Sequence, residues 1–287
     1  MAFLQRLGRF PTSFVLPAVL VLAAIVAFPT VYLLFLSVRH WVIIEPARYF
    51  DGLGNFVRVL RAPDFWDSAR VTFAYIVATS LATLVLGMGL ALSLNRSFFL
   101  RGVVRALIVL PLLVPPIVSG FAWKFLLNRE IGVLGSYLLP AVGVRASLLA
   151  DPNLALFSVV VADMWSRTSF MFLILIAALQ SIPAELYEAA RIDGASTYQE
   201  FRYVTLPLLV PAIVIGLIFR AIEAINTFDL IYVMTQGGPG TATMTLSIYG
   251  WKVAFTSFDI GRGAAIAVMM LVATVLGTTV LVRRIRR

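Results

Sequence analysis

The sequence predicts an all-α, polytopic membrane protein with six transmembrane helices, and three observations carry that prediction. Of 287 residues, 61% are hydrophobic and 13% charged, and the mean hydropathy is +0.96, which is too apolar for a soluble chain of this length. Six stretches each supply the roughly 20 apolar residues that a hydrocarbon core about 30 Å thick requires of a helix. The basic residues behind a formal charge of +9 are scattered between those stretches and bunch only at Arg283-Arg284-Ile285-Arg286-Arg287. That is a membrane-flank pattern, not a nucleic-acid face.

The six predicted spans lie near 13–37, 70–94, 103–125, 154–179, 207–234 and 262–282, in one transmembrane domain covering residues 1–287. Arg6 and Arg9 precede the first, as in a signal peptide, but its apolar run is longer than an h-region and continues through Pro29 to Ser37, so it is kept as a span. Pro17, Pro29, Pro111, Pro115 and Pro116 fall inside spans, where neighbouring helices satisfy the freed carbonyls and kinks are expected. No low-complexity tract or clear internal repeat is visible.

With an even number of spans both termini share one side, which holds Arg6, Arg9, Arg96, Arg101, Arg105, Arg191, Arg202 and the four tail arginines. The opposite loops carry almost as many basic residues over roughly twice the length, so charge density places both termini in the cytoplasm. Three outer segments are expected. The first contains Gly52-Leu53-Gly54-Asn55-Phe56 and Pro63-Asp64-Phe65-Trp66, the second ends in Asp151-Pro152, and the third begins at Thr235-Gln236-Gly237-Gly238-Pro239-Gly240, a turn-rich exit from the membrane.

Between the fourth and fifth spans lies the polar insert Ser181–Pro207. It reads as two short helices joined at Gly194. Pro183 suits a first helical turn, and Glu185 and Glu188 favour the positive end of the helix dipole. Ser196 with Gln199 completes a capping box for the second helix, which Leu206-Pro207 either stops or hands to the next span. By local chemistry alone this is an ordered loop between membrane helices.

Charges inside spans are costly and suggest function. Asp163 and Arg167 on the fourth span are spaced i, i+4, and Arg220 and Glu223 on the fifth i, i+3, so each pair can neutralise itself on one helix face. At 1.5 Å per residue, Arg167 stands about 21 Å from Ser181 and Arg220 about 20 Å from Pro207, similar heights on the helices flanking the insert. Two readings stand: self-satisfied ion pairs that hold helices together, or a polar pocket on a translocation path.

Absences narrow the function. A phosphate-binding loop needs GxxxxGK[ST], and the only lysines, Lys124 and Lys252, each follow a tryptophan. The chain has one histidine, His40, and no cysteine, too little for a histidine-based metal site, a thiol nucleophile or disulfides. No enzyme activity is expected. An ion-coupled secondary transporter or channel remains the rival class, because buried ionisable residues serve it equally.

Glu188-Ala189-Ala190, then Gly194, then Leu206-Pro207 resembles the EAA loop of binding-protein-dependent ABC importer permeases. The GL-NF stretch with Phe65-Trp66 is similar to sugar-importer permeases. Gly237-Gly238-Pro239 with Phe228-Asp229, Tyr232, Tyr249 and Ala254-Phe255 is similar to the maltose-type, or first, permease of carbohydrate importers. The resemblance runs from about Trp41 to the end of the last span. It implies an ABC type I importer permease fold in a bacterial inner membrane. The implied partners are a second, related permease, two ATP-binding subunits and an extracytoplasmic binding protein, with ATP held by the partner subunit and no cofactor on this chain. It implies coupling to the ATPase through Tyr187, Glu188, Ala189, Ala190, Asp193 and Gly194. It also implies substrate contacts from Asp163, Ser166, Arg167 and Phe170 on the fourth helix and Arg220, Glu223, Ala224 and Thr227 on the fifth, with Leu112 and Pro116 at the third. Here the sequence departs from the maltose pattern, since small and neutral positions have become charged. A sugar, polyol or sugar derivative is the implied substrate, and a non-sugar solute the alternative.

Overall fold

A computed structural model describes residues 12–96, 98–143 and 146–285. Arg6, Arg9, Arg286 and Arg287, which enter the orientation argument, lie outside them. Contacts divide the chain into two units, Met1–Ala62 with Gly250–Leu271, and Pro63–Tyr249 with Val272–Arg287.

In the first unit, helix α1 (Thr12–Ser37) leaves its apolar faces uncovered, with Leu22 and Phe28 exposed, as suits a helix solvated by hydrocarbon. Strands β1 (Arg39–Trp41) and β2 (Arg48–Phe50) form an antiparallel hairpin, followed by the short helix α2 (Gly54–Arg61). The GL-NF stretch explains this compact turn. Asn55 is buried and its amide donates to the carbonyls of Ser37 at 2.8 Å and Arg39 at 2.7 Å, closing the backbone groups left open where α1 ends. His40 stacks on Tyr49 and lies 2.8 Å from Glu45.

The second unit is a helical bundle. It contains α3 (Pro63–Leu94), α4 (Arg101–Val109), α5 (Pro116–Leu126), α6 (Pro152–Gln180), α7 (Ala184–Ile192), α8 (Leu206–Asn226) and α9 (Asp229–Thr235). Helix α10 (Leu246–Trp251) and the last helix, α11 (Ile260–Ile285), complete the order.

Among the described residues five helices are long and apolar enough to cross a membrane, and the count is six when a bent pair is taken as one span. The third span is that pair: Arg101–Leu113 and Pro116–Leu126 meet at 99°. Pro115 and Pro116 have no N–H to continue the ladder, and Ser169 donates to the Ile108 carbonyl at 2.6 Å just before the bend. That bend falls at the prolines where a kink is expected, whereas the fifth span differs from expectation. It does not run unbroken through 207–234; α8 ends at Asn226, Thr227 is extended, and α9 restarts at Asp229. Asn226 and Thr227 turn their side chains back onto the Ile222 and Glu223 carbonyls, so the chain ends a helix inside an apolar run without orphaning its acceptors.

Close packing of α3, α6 and α8 sets the frame of the site. Fully buried Met171 of α6 fills the space left by Gly87 of α3 and Gly216 of α8, where an added Cβ would come within 2.8 Å of its side chain in either case. Small residues of this kind let membrane helices approach closely. Two apolar clusters result. One gathers Tyr75, Val159, Ala162, Ala224, Leu230 and Ile231, and the other Ala91, Met171, Phe172, Leu175 and Leu209.

Candidate functional site

The intramembrane charges occupy α6 and α8 where these two apolar clusters adjoin. They do not pair as their spacing suggested. Arg220, 1% exposed, reaches from α8 to α6 and donates from Nη2 to Asp163 Oδ2. Arg167 returns the exchange, its Nη1 lying 3.2 Å from Glu223 Oε1. Glu223 Oε2 stands 3.5 Å from Arg220 Nη1, so the four groups form a chain, Asp163–Arg220–Glu223–Arg167. No Asp163–Arg167 ion pair forms among the described residues; of the two expected intrahelical pairs only Arg220–Glu223 is present, at the longest separation of the three contacts. Packing of α6 on α8 offers each arginine a carboxylate across the interface, and a shared pair ties the helices together while neutralising both.

Accessibility divides the chain of charges. Asp163 and Arg220 are dry, with side chains 3% and 1% exposed, whereas Arg167 and Glu223 keep 24% and 36%. Among the described residues, Arg220 Nε has no hydrogen-bond partner, and Arg220 Nη1 and Glu223 Oε2 have only their 3.5 Å ion-pair contact with each other. Such groups are costly in a low-dielectric interior.

Of the other expected substrate residues, Phe170 lies edge-on to Phe219, with ring centroids 6.0 Å apart. Ser166 is buried with its hydroxyl 3.1 Å from its own helix's Asp163 carbonyl. Ala224 is packed in the core, and Thr227 closes the end of α8. Leu112 belongs to the 3-10 turn Leu110–Leu113 before the bend, and Pro116 opens α5.

Sequence reasoning missed Tyr75. It is fully buried beside Asp163 and Thr227. A signal existed: Ser68, Thr72, Tyr75, Thr79 and Thr83 recur at intervals of three and four along α3, all buried, with Thr72, Thr79 and Thr83 each donating to a carbonyl one turn back. Such a stripe shares one helix face.

The polar insert is built as its caps suggested. Helix α7 follows Pro183. Gly194 takes φ +81°, the left-handed conformation that glycine adopts without penalty, and Ala195 N–H reaches back to the Ala190 carbonyl at 2.9 Å. The capping box of Ser196 and Gln199 is complete. Leu206-Pro207 hands the chain on: the turn Thr197–Gln199 passes through a π-helical stretch, Glu200–Thr205, directly into α8. Glu188, Ala189, Asp193 and Gly194 are exposed and Ala190 is half-buried. Tyr187 turns inward, its hydroxyl 3.0 Å from Thr205 Oγ1. Arg191 pairs with Glu200 at 2.8 Å, and that hydrogen bond and charge hold its guanidinium above the ordinary pKa.

A multi-pass bundle with paired charges inside it and a capped, exposed insert between its two central helices has the architecture of a transport subunit. Its fold is that of ABC type I importer permeases. A crystal structure of a bacterial alginate ABC transporter, in complex with an alginate pentasaccharide-bound periplasmic protein, superposes with a TM-score of 0.80 at 20% identity, covering 94% of this chain and 91% of that one.

The chain belongs to the family described as the binding-protein-dependent transport system inner membrane component, whose signature matches residues 83–287. It is 40% identical over 275 residues, 95% of this chain and 92% of the relative, to a trehalose/maltose transport system permease of Thermococcus litoralis. It is 37% identical to a sulfoquinovosyl glycerol transport system permease of Agrobacterium fabrum, covering 94% and 88%. Members of this family are permease subunits and are not themselves enzymes.

Proposed function

We propose that this permease forms the membrane path for a sugar, a polyol or a sugar derivative, and that the accessible end of its intramembrane charge chain, Arg167 and Glu223, contacts the solute in transit. The observation that carries this reading is the cross-helix chain Asp163–Arg220–Glu223–Arg167, with one dry pair and one reachable pair. Charged groups make strong hydrogen bonds to hydroxyls. The relatives named for trehalose/maltose and sulfoquinovosyl glycerol support the substrate class. Phe170 and Phe219 lie along the same two helices and offer apolar ring surface.

In this reading both termini and Ser181–Pro207 face the cytoplasm. Exposed Leu186, Ile192 and Tyr198 give the insert an apolar surface for a separate ATP-binding subunit, with Glu188 as its polar contact and Gly194 setting the bend. The assembly comprises this chain, a second and related permease, two ATP-binding subunits and an extracytoplasmic binding protein. ATP is bound by the partner, and this chain carries no cofactor. A solute moves uphill only if the partner's ATP cycle favours the inward-facing and outward-facing states differently.

The test is purification of the chain with its native partners, followed by ATPase assay of wild type and Glu188→Ala with binding protein and candidate sugars. Stimulation by one sugar that is lost in Glu188→Ala is expected. Uptake that follows an ion gradient, with no ATPase copurifying, would replace this reading with ion-coupled transport.

A further inference from the structure

Two contacts that helix capping does not require tie the polar insert to the fifth span, and they bear on how motion passes between the two, an inference that rests on the coupling-loop reading above. Tyr187 and Arg191 lie four residues apart on α7 and so share one face of it. Tyr187 places its hydroxyl 3.0 Å from Thr205 Oγ1, and Arg191 donates from Nε to Glu200 Oε1 at 2.8 Å. Both partners belong to the π-helical stretch Glu200–Thr205, which runs without a break into α8.

The π winding makes the two contacts compatible. Thr205 follows Glu200 by five residues, and at 3.6 residues per α-helical turn their side chains would stand about 140° apart. An i→i+5 turn brings such residues back towards one side, and the Thr205 hydroxyl lies 3.4 Å from the Glu200 carbonyl. With that proton directed at the carbonyl, Tyr187 is the donor to Thr205. Thr205 is buried and the Glu200 side chain only 14% exposed, whereas Leu186 and Glu188 beside Tyr187 stay exposed.

Arg191 keeps 67% of its side chain exposed, and ion pairs in such places add little stability. What they fix is direction. Only Ser181–Pro183 separate α6 from α7, so α6 follows α7 through the chain itself. On the other side the turn at Gly194 intervenes, and a single contact would leave α7 free to pivot there; two contacts along its length do not.

We infer that Tyr187–Thr205 and Arg191–Glu200 form a strut that locks α7 to the start of α8, and that Glu200 and Thr205 are positioning residues through which a displacement of the insert reaches the helix carrying Arg220 and Glu223. Tyr187 acts within this chain, through Thr205, rather than by filling a groove in a partner.

The experiment uses the whole assembly with its ATP-binding subunits. Spin labels at Phe73→Cys on α3 and Ile215→Cys on α8, both exposed on the isolated chain, report their separation by pulsed electron resonance before and after trapping with MgATP and vanadate. Wild type should show a change in separation. Thr205→Val, which keeps the shape and removes the hydroxyl, and Glu200→Gln, which removes the charge, should retain the ATP-binding subunits on purification and lose at least half of that change. Thr205→Ser, which restores the hydroxyl, should recover it. Arg191→Gln should match Glu200→Gln, and the double variant should be no worse than either single one.

A full change in both Thr205→Val and Glu200→Gln, with the change abolished in Glu188→Ala, would overturn the strut and leave the coupling-loop reading standing. Loss of the ATP-binding subunits from these variants would make the residues part of the docking surface and overturn it as well, as would an unchanged separation in wild type. If Glu188→Ala keeps the full change, the coupling-loop reading falls and this inference with it.

Discussion

Arg220 and Glu223 lie on one helix three residues apart, yet their substitution should have different consequences. Arg220 is dry and holds Asp163, so Arg220→Met strands a buried carboxylate, a loss on the order of 3–5 kcal/mol. The melting temperature of the solubilised complex should fall sharply, and Asp163→Leu added to Arg220→Met should recover much of it, because no unpaired charge then remains. Failure of the double variant to exceed the single one would show that the pair does not act as a unit. Glu223 is 36% exposed, so Glu223→Ala should leave assembly nearly intact while uptake is lost. Normal uptake by a well-assembled Glu223→Ala complex would remove Glu223 from the path. The four charged positions were legible in the sequence because ionisable residues stand out in apolar spans. Their partners were not, since i, i+3 and i, i+4 spacing describes what one helix permits and says nothing of a competing carboxylate on its neighbour.

The elements around the site depend on two kinds of glycine. Gly87 and Gly216 both face Met171, but differently. A Cβ at Gly87 would meet Met171 Cγ and Cβ and the Phe172 backbone nitrogen at 2.8, 3.0 and 3.2 Å, whereas at Gly216 it would meet first the Met171 sulfur at 2.8 Å. A thioether end can swing aside and a Cβ or backbone atom cannot. Gly87→Ala is therefore expected to destabilise the complex by about 1–3 kcal/mol and Gly216→Ala by less, as read from thermal melts; the reverse order would show that α3 yields to the added methyl group more readily than Met171 does. Gly194 is of the other kind. No atom lies within 4 Å of an added Cβ, and only its φ of +81° resists, so Gly194→Ala should cost roughly 1–2 kcal/mol of local strain. The reading of Ser181–Pro207 as a coupling loop predicts that this variant assembles but shows reduced sugar-stimulated ATPase activity. The caps of this insert were readable because Ser196, Gln199 and Gly194 act through local backbone chemistry. The break at Asn226–Phe228 was missed because it lies within a run whose hydropathy continues on both sides, and hydropathy measures burial rather than helical continuity.

The whole chain contains no cysteine, so its orientation can be read from single introduced thiols without background. With the termini and insert in the cytoplasm, Tyr198→Cys on the insert should resist a membrane-impermeant maleimide in intact cells, and Phe50→Cys on the β-hairpin should react. Both positions are exposed on the isolated chain, so in cells expressing it without its ATP-binding partner labelling reports sidedness rather than access, and the opposite pattern would invert the topology. Removing the Glu188 carboxylate should leave basal ATPase activity in place and abolish its stimulation by sugar and binding protein, the whole-assembly signature of a lost contact between permease and ATPase.

Composition and the spacing of apolar runs determined that this chain is a helical membrane protein of about six spans, because a bilayer imposes one length and one polarity on any helix that crosses it. Local chemistry determined the caps and glycine bend of the insert, and a few motif residues pointed to the importer permeases. The prolines of the third span marked its kink, but the break in the fifth, the Met171 lock and the crossed pairing of Asp163 with Arg220 and Arg167 with Glu223 were decided only by tertiary structure. Each depends on distances between segments far apart in sequence, and a linear pattern contains no term for what one helix presents to the next.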